Sequence, residues 1–161
     1  MDNQESQRES VERMDWALAL PEARTAMMSL EAVAYKAGIS RSLLELVKVR
    51  VSQMNGCGYC LDMHTKDARR QGESEQRLYA LAAWRETPFF TQSERALLAW
   101  AEAVTDLTRR VPDEDYDNLR NYYTEREVEA LTSAVIAINA WNRWAISMRT
   151  VPGSYRPDLA R

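Results

Sequence analysis

The chain has 161 residues, 45% hydrophobic and 28% charged, with 21 basic against 24 acidic side chains and a formal charge of −3. That is one domain's worth of ordinary globular composition, able to bury roughly two-thirds of its unfolded surface without staples. It excludes a disordered chain, offers no basic surplus for nucleic acid, and with two cysteines cannot form a secreted disulfide framework. Five Gly and five Pro are few, while Ala, Leu, Glu and Arg abound, so the expected fold class is all-α, and the patterns taken in chain order below give about seven helices.

In chain order, residues 1–13 are polar and predict a frayed start. They hold no apolar segment of the kind a secretory signal needs, and the longest apolar stretch, 134–138, is too short to span a bilayer. The expectation is a cytoplasmic protein with no membrane partner. Trp16, Leu18 and Leu20 suit a short helix or an anchoring turn. Pro21 opens a helix carrying Ala23, Ala26, Met27, Leu30, Val33 and Ala34, with Gly38 as its stop. Ser40 caps the next, whose stripe is Leu43, Leu44, Val47, Val51 and Met54, and Asn55-Gly56 breaks it. A helix then runs from about Cys57 to Gln71, with Gly72 as its stop. Ser74 caps a short one carrying Leu78, Leu81, Ala82 and Trp84, which Pro88 ends. Thr91-Gln-Ser-Glu94 and Thr124-Glu-Arg-Glu127 are capping boxes. The first opens a helix through about Thr108 with Leu97, Trp100, Val104 and Leu107 apolar. A brief helix starts at Pro112-Asp113. The second box opens the most apolar helix, with Val128, Leu131, Val135 and Ile138 on one face and Ala130, Ala134, Ala137, Trp141 and Trp144 on another. Residues 150–161 read as an extended tail. The whole is expected to be one domain, 1–161.

The chemistry concentrates in Asn55-Gly56-Cys57-Gly58-Tyr59-Cys60-Leu61-Asp62-Met63-His64. Both cysteines lie here, three apart, and the one histidine lies four beyond the second. On a helix, residues three apart have Cα atoms about 5–6 Å apart, a span that a disulfide tolerates. The break before Cys57 presents a helix N-terminus, which favours thiolate. His64 falls on the same face as Cys60, one turn along. Glu45 stands on the preceding helix beside its apolar stripe, where burial would raise its carboxyl toward a useful base. A zinc site drawing on Cys57, Cys60, His64 and Glu45 is the rival, disfavoured because structural zinc usually takes two separated ligand pairs. A third alternative keeps the redox pair but serves a protein partner, as a disulfide reductase or redox sensor.

The pattern Glu45, eleven residues, Cys57-x-x-Cys60, three residues, His64 resembles the AhpD-like alkylhydroperoxidases of the carboxymuconolactone decarboxylase superfamily. The similarity runs from about Trp16 to Tyr155 and includes Asn139-Ala-Trp-Asn-Arg-Trp144. The resemblance implies the AhpD-like fold, a cysteine pair opening the helix after a hairpin turn, and thiol-dependent reduction of hydroperoxides. Cys60 would be the peroxidatic thiol and Cys57 the resolving thiol, with His64 and Glu45 as proton relay. No flavin, haem or metal is implied, and an external dithiol or disulfide-reductase partner supplies the electrons. Better-known members carry a histidine where this chain has Tyr59, so a relay through that position does not exist here.

Five Trp and the two apolar faces of the helix after Thr124 imply a homo-oligomer, and the resemblance favours a hexamer over a trimer. Light scattering at micromolar concentration should give a particle larger than one chain; a stable particle of one chain's mass would refute this.

Overall fold

The structure, a computed structural model, describes residues 11–157 apart from the side chain of Arg109. Among them are eight α-helices and two 3-10 segments and no strand. The helices are α1 (Trp16–Ala19), α2 (Pro21–Lys36), α3 (Arg41–Asn55), α4 (Gly58–Arg70), α5 (Glu75–Ala80), α6 (Gln92–Thr105), α7 (Asp113–Arg120) and α8 (Glu125–Met148). The 3-10 segments are Leu81–Glu86 and Leu107–Arg109. The one beyond the seven expected is α1, the lead-in at Trp16, capped by the Asp15 carboxylate.

Side-chain chemistry sets most boundaries. Ser40 and Ser74 accept from backbone N–H groups three residues on, and both predicted capping boxes form in full. Gly56 ends α3 at φ +68°, a left-handed conformation open to glycine and costly for most residues.

The middle helix, α3, is wrapped. Leu44, Val47 and Val51 face one apolar cluster with Leu97, Leu131 and Val135. Leu46 and Val49 face a second with Leu78, Leu81 and Leu98. The stripe read from the sequence covered only the first of these faces. The helix α8 packs on α2, α3, α4, α6 and α7. Both of its apolar faces are therefore covered within the chain, and its exposed apolar side chains are Ile136 and Ile146. No helix among the described residues is long and apolar enough to cross a membrane.

Three local expectations change. Helix α6 stops at Thr105, three residues early, because Asp106 turns its carboxylate to the N–H of Thr108 and opens a 3-10 turn. That turn leaves Leu107 67% exposed rather than in the core. On α2, Val33 is also exposed, since the helix buries mainly Ala34. The expected fraying falls largely on residues 1–10, outside those described, whereas Arg13 is held by hydrogen bonds from its N–H to Met148 O and from its guanidinium to Ser147 O, both 2.9 Å. The tail is extended but tied down: the Gly153 N–H donates to Asp62, and Lys66 donates to Tyr155 O.

Burial separates two leucines that look alike in sequence. Leu131→Ala should lower stability in urea denaturation by about 2–5 kcal/mol, whereas Leu107→Ala should change it by less than about 0.5 kcal/mol. Comparable losses at both positions would contradict the packing described.

Candidate active site

The turn between α3 and α4 is built to present sulfur. Asn55, in the last turn of α3, donates to Asn139 Oδ1 and Asn142 Oδ1 of α8, each at 2.9 Å. Asn142, fully buried, donates onward to Ser52 Oγ at 3.0 Å. Gly56 reverses the chain, and the Cys57 N–H returns to Ser52 O. Cys57 is thereby the N-cap of α4, its sulfur accepting from the Cys60 N–H at 3.3 Å. The two cysteines form a disulfide with Cα atoms 5.3 Å apart, within the span expected from their spacing. Both are buried, 1% and 2% exposed, against Ala145 of α8 and the half-buried Tyr59. The helix start is therefore covered rather than open, although Gly56 and Gly58 beside it are exposed.

His64 lies one turn beyond Cys60 on α4 and is 4% exposed. Its Nδ1 meets Glu45 Oε2 at 2.7 Å, and Glu45 is 5% exposed. A neutral imidazole that donates from Nδ1 carries its acceptor lone pair on Nε2. Glu45 Oε1 accepts from Lys48 Nζ at 3.1 Å. Lys48, 4% exposed, also donates to Glu31 Oε1 at 2.7 Å and to the Tyr35 hydroxyl at 2.6 Å. Glu31 Oε2 accepts from the Trp141 indole at 3.1 Å.

Burial alone pushes the Glu45 carboxyl up, as its place beside the apolar stripe led one to expect. The hydrogen bond and charge of His64, followed by those of Lys48, outweigh burial and hold it below the ordinary carboxylate value. Burial likewise opposes the charge on Lys48, but the carboxylates of Glu45 and Glu31 win and raise it. Asp67, three residues past His64, brings its carboxylate within 4.8 Å of the ligating atoms of Glu45 and His64 and accepts from the Tyr155 hydroxyl. Its burial, helped by the like charge of Glu45, raises it above the usual value despite the Tyr155 hydrogen bond.

Of the four residues singled out in sequence, Cys57 and Cys60 are joined and Glu45 and His64 are paired. The four do not converge as a zinc ligand set: the sulfurs bind each other and Glu45 is taken up by His64 and Lys48. Among the described residues, the one cluster of three or more metal-competent groups is Glu45, His64 and Asp67, without either cysteine. Sequence reasoning missed Lys48, Tyr35, Asp67 and Tyr155. The available signal was the run 44–51, apolar on both faces of a helix, which leaves Glu45 and Lys48 no route to solvent.

The profile of the carboxymuconolactone decarboxylase family matches residues 21–103. This chain belongs to that family. It is 44% identical over 138 residues to the uncharacterized protein YdfG of Bacillus subtilis (strain 168), covering 85% of this chain and 94% of that one. In structure it is similar to a protein of unknown function from Agrobacterium tumefaciens, ATU0492, for which an AhpD-type antioxidant defence role has been suggested. That likeness has a TM-score of 0.85 at 39% identity, over 90% of this chain and 100% of the other. The alkylhydroperoxidase AhpD core of a Ralstonia eutropha protein shares the fold, with a TM-score of 0.75 at 19% identity over 86% and 74% of the two chains.

The disulfide closes within one turn of one helix. Treating the reduced protein with mild peroxide should remove both thiols of each chain without crosslinking chains, and a dithiol should restore both. Two thiols surviving excess oxidant, or a dimer on a non-reducing gel, would contradict the pairing.

Proposed function

We propose that this member of the family is a thiol-dependent peroxidase that reduces hydroperoxides through the Cys57–Cys60 pair. The observation that carries the reading is a buried Glu45–His64 hydrogen bond one helical turn from that disulfide. The antioxidant role suggested for the Agrobacterium relative supports it.

In the reduced state His64 Nε2 takes the proton of Cys60, and Glu45 stabilises the imidazolium so formed, holding the ring with its acceptor nitrogen turned away from the carboxylate. The Cys60 thiolate attacks the distal oxygen of the hydroperoxide. The O–O bond breaks, the alkoxide leaves as an alcohol with the proton from His64, and sulfur is left as sulfenic acid. Cys57, three residues away and already within disulfide range, attacks that sulfur; the S–S bond forms and water leaves. An external dithiol then reduces the disulfide by exchange through a mixed disulfide and is itself oxidised. No flavin, haem or metal takes part in this scheme. Its partners are a hydroperoxide and a dithiol or disulfide-reductase protein. We also propose a homo-oligomer, hexamer ahead of trimer, with Leu18, Leu20, Val33, Ile136 and Ile146 as the exposed apolar side chains available to it.

The test is the rate of disulfide formation after peroxide is added to the reduced chain. Glu45→Gln keeps the shape and removes the charge that stabilises the imidazolium, so the rate at neutral pH should fall by at least about tenfold. His64→Ala should lose a similar factor, and the double variant little more than the worse single one, because the two act as a unit. The losses should shrink at high pH, where Cys60 ionises unaided. A Glu45→Gln profile identical to that of the native chain, with the fold intact, would remove Glu45 from the reaction.

A further inference from the structure

Lys48 is a buried ammonium that no step of the scheme above uses. Its three N–H donors find three acceptors on two helices: Glu31 Oε1 and the Tyr35 hydroxyl on α2, and Glu45 Oε1 on its own helix α3. The two oxygens of Glu45 are thereby divided, Oε1 to Lys48 and Oε2 to His64. A lysine with all its donors committed has no rotamer freedom left, so it fixes the plane of the carboxylate that faces the imidazole. The charges facing Glu45 are Lys48 on its own helix, Glu31 with the Tyr35 hydroxyl on α2, and His64 and Asp67 on α4. From α8 the contact is the neutral Trp141 indole, which engages the second oxygen of Glu31. Without Lys48, the carboxyls of Glu45 and Asp67 would share one imidazole while Glu31, which meets the same ammonium as Glu45, lost its cation, and this favours proton uptake by one of the buried carboxyls.

We infer that Lys48 is a positioning residue for this site: by bridging Glu31 and Glu45 it keeps the Glu45 carboxylate charged and its free oxygen turned to His64. The inference rests on the relay reading for its kinetic consequence, but its electrostatic core does not.

The direction of the effect follows from linkage. A carboxylate that loses a neighbouring cation holds its proton to higher pH, so its support of the imidazolium is lost below that higher midpoint and recovered above it. The experiment titrates Glu45 directly, by NMR of the oxidised chain carrying ¹³C at glutamate side-chain carboxyls, with the Glu45 signal identified by its absence in Glu45→Gln. Lys48→Met should raise the Glu45 midpoint by about one pH unit or more, and Lys48→Arg, which keeps the charge, by much less. Glu31→Gln, a half-buried change that removes the competing carboxylate, should move the midpoint down. In parallel, the acid limb of the peroxide-oxidation rate should shift up in Lys48→Met, and adding Lys48→Met to Glu45→Gln should produce no shift, which a merely structural role would not do. An unmoved Glu45 midpoint in Lys48→Met overturns the inference. If Lys48→Met does not fold, Glu31→Gln decides alone: a lower midpoint supports the inference, and an unchanged or higher one overturns it. If the midpoint moves as expected while Glu45→Gln keeps the native rate profile, the hold of Lys48 on Glu45 stands and the relay falls instead.

Discussion

Glu45 can stay charged inside this protein only because both of its oxygens are occupied by groups that carry, or can accept, positive charge. An unpaired carboxylate taken from water into a protein interior costs several kcal/mol even after relaxation. Here Lys48 and His64 offset that cost, and Lys48 is in turn offset by Glu31 and Tyr35. The requirement reaches across four helices, since Glu31 and Tyr35 come from α2, Glu45 and Lys48 from α3, His64 from α4, and the Trp141 indole on Glu31 from α8. Small displacements of any of these helices would leave a charge unpaired. The hydrophobic clusters on either side of α3 supply the driving force for folding, and the buried polar string selects which mutual arrangement of the helices is acceptable.

The same arrangement separates two tasks. The distance between sulfur and imidazole is set within a single helix, because Cys60 and His64 are one turn apart on α4 and cannot drift. The orientation of the imidazole is set between helices, by a carboxylate of α3. The start of α4 is in turn pinned by Asn55, Asn139, Asn142 and Ser52, so that the N-cap position falls on Cys57. Its sulfur then accepts the backbone N–H of Cys60, which brings the two cysteines together at the positive end of the helix.

Much of this was legible in the residues themselves. Caps and stops are local: Ser40, Thr91, Thr124 and Gly56 act on groups within a few positions, and they act as read. The cysteine pair and His64 share one helix, so spacing alone placed them. Glu45 was placed by its position before the break, but its ionisation differs from the expectation, because burial is outweighed by the hydrogen bond and charge of His64 and then by the ammonium three residues away. The apolar run 44–51 points to burial of Lys48 but names no partner for it. Its acceptors lie 13 and 17 residues upstream on α2, and the group that completes the string, Trp141, lies 110 residues from Glu31. Leu107 failed for the opposite reason: its spacing continued the α6 pattern, but one aspartate ended the helix first. Residues that act through neighbours close in sequence were visible, and those that depend on helices meeting were not.

In the proposed cycle Cys60 meets the oxidant and Cys57 closes the disulfide. The most direct measurement is stopped-flow consumption of a hydroperoxide by the reduced chain, compared with Cys60→Ser and Cys57→Ser. Cys57→Ser should consume one equivalent at the native rate and stop at a sulfenic acid that a dimedone probe can trap, while Cys60→Ser should consume peroxide no faster than a free thiol. Rapid consumption by Cys60→Ser, or a Cys57→Ser chain without a trappable sulfenic acid, would contradict it.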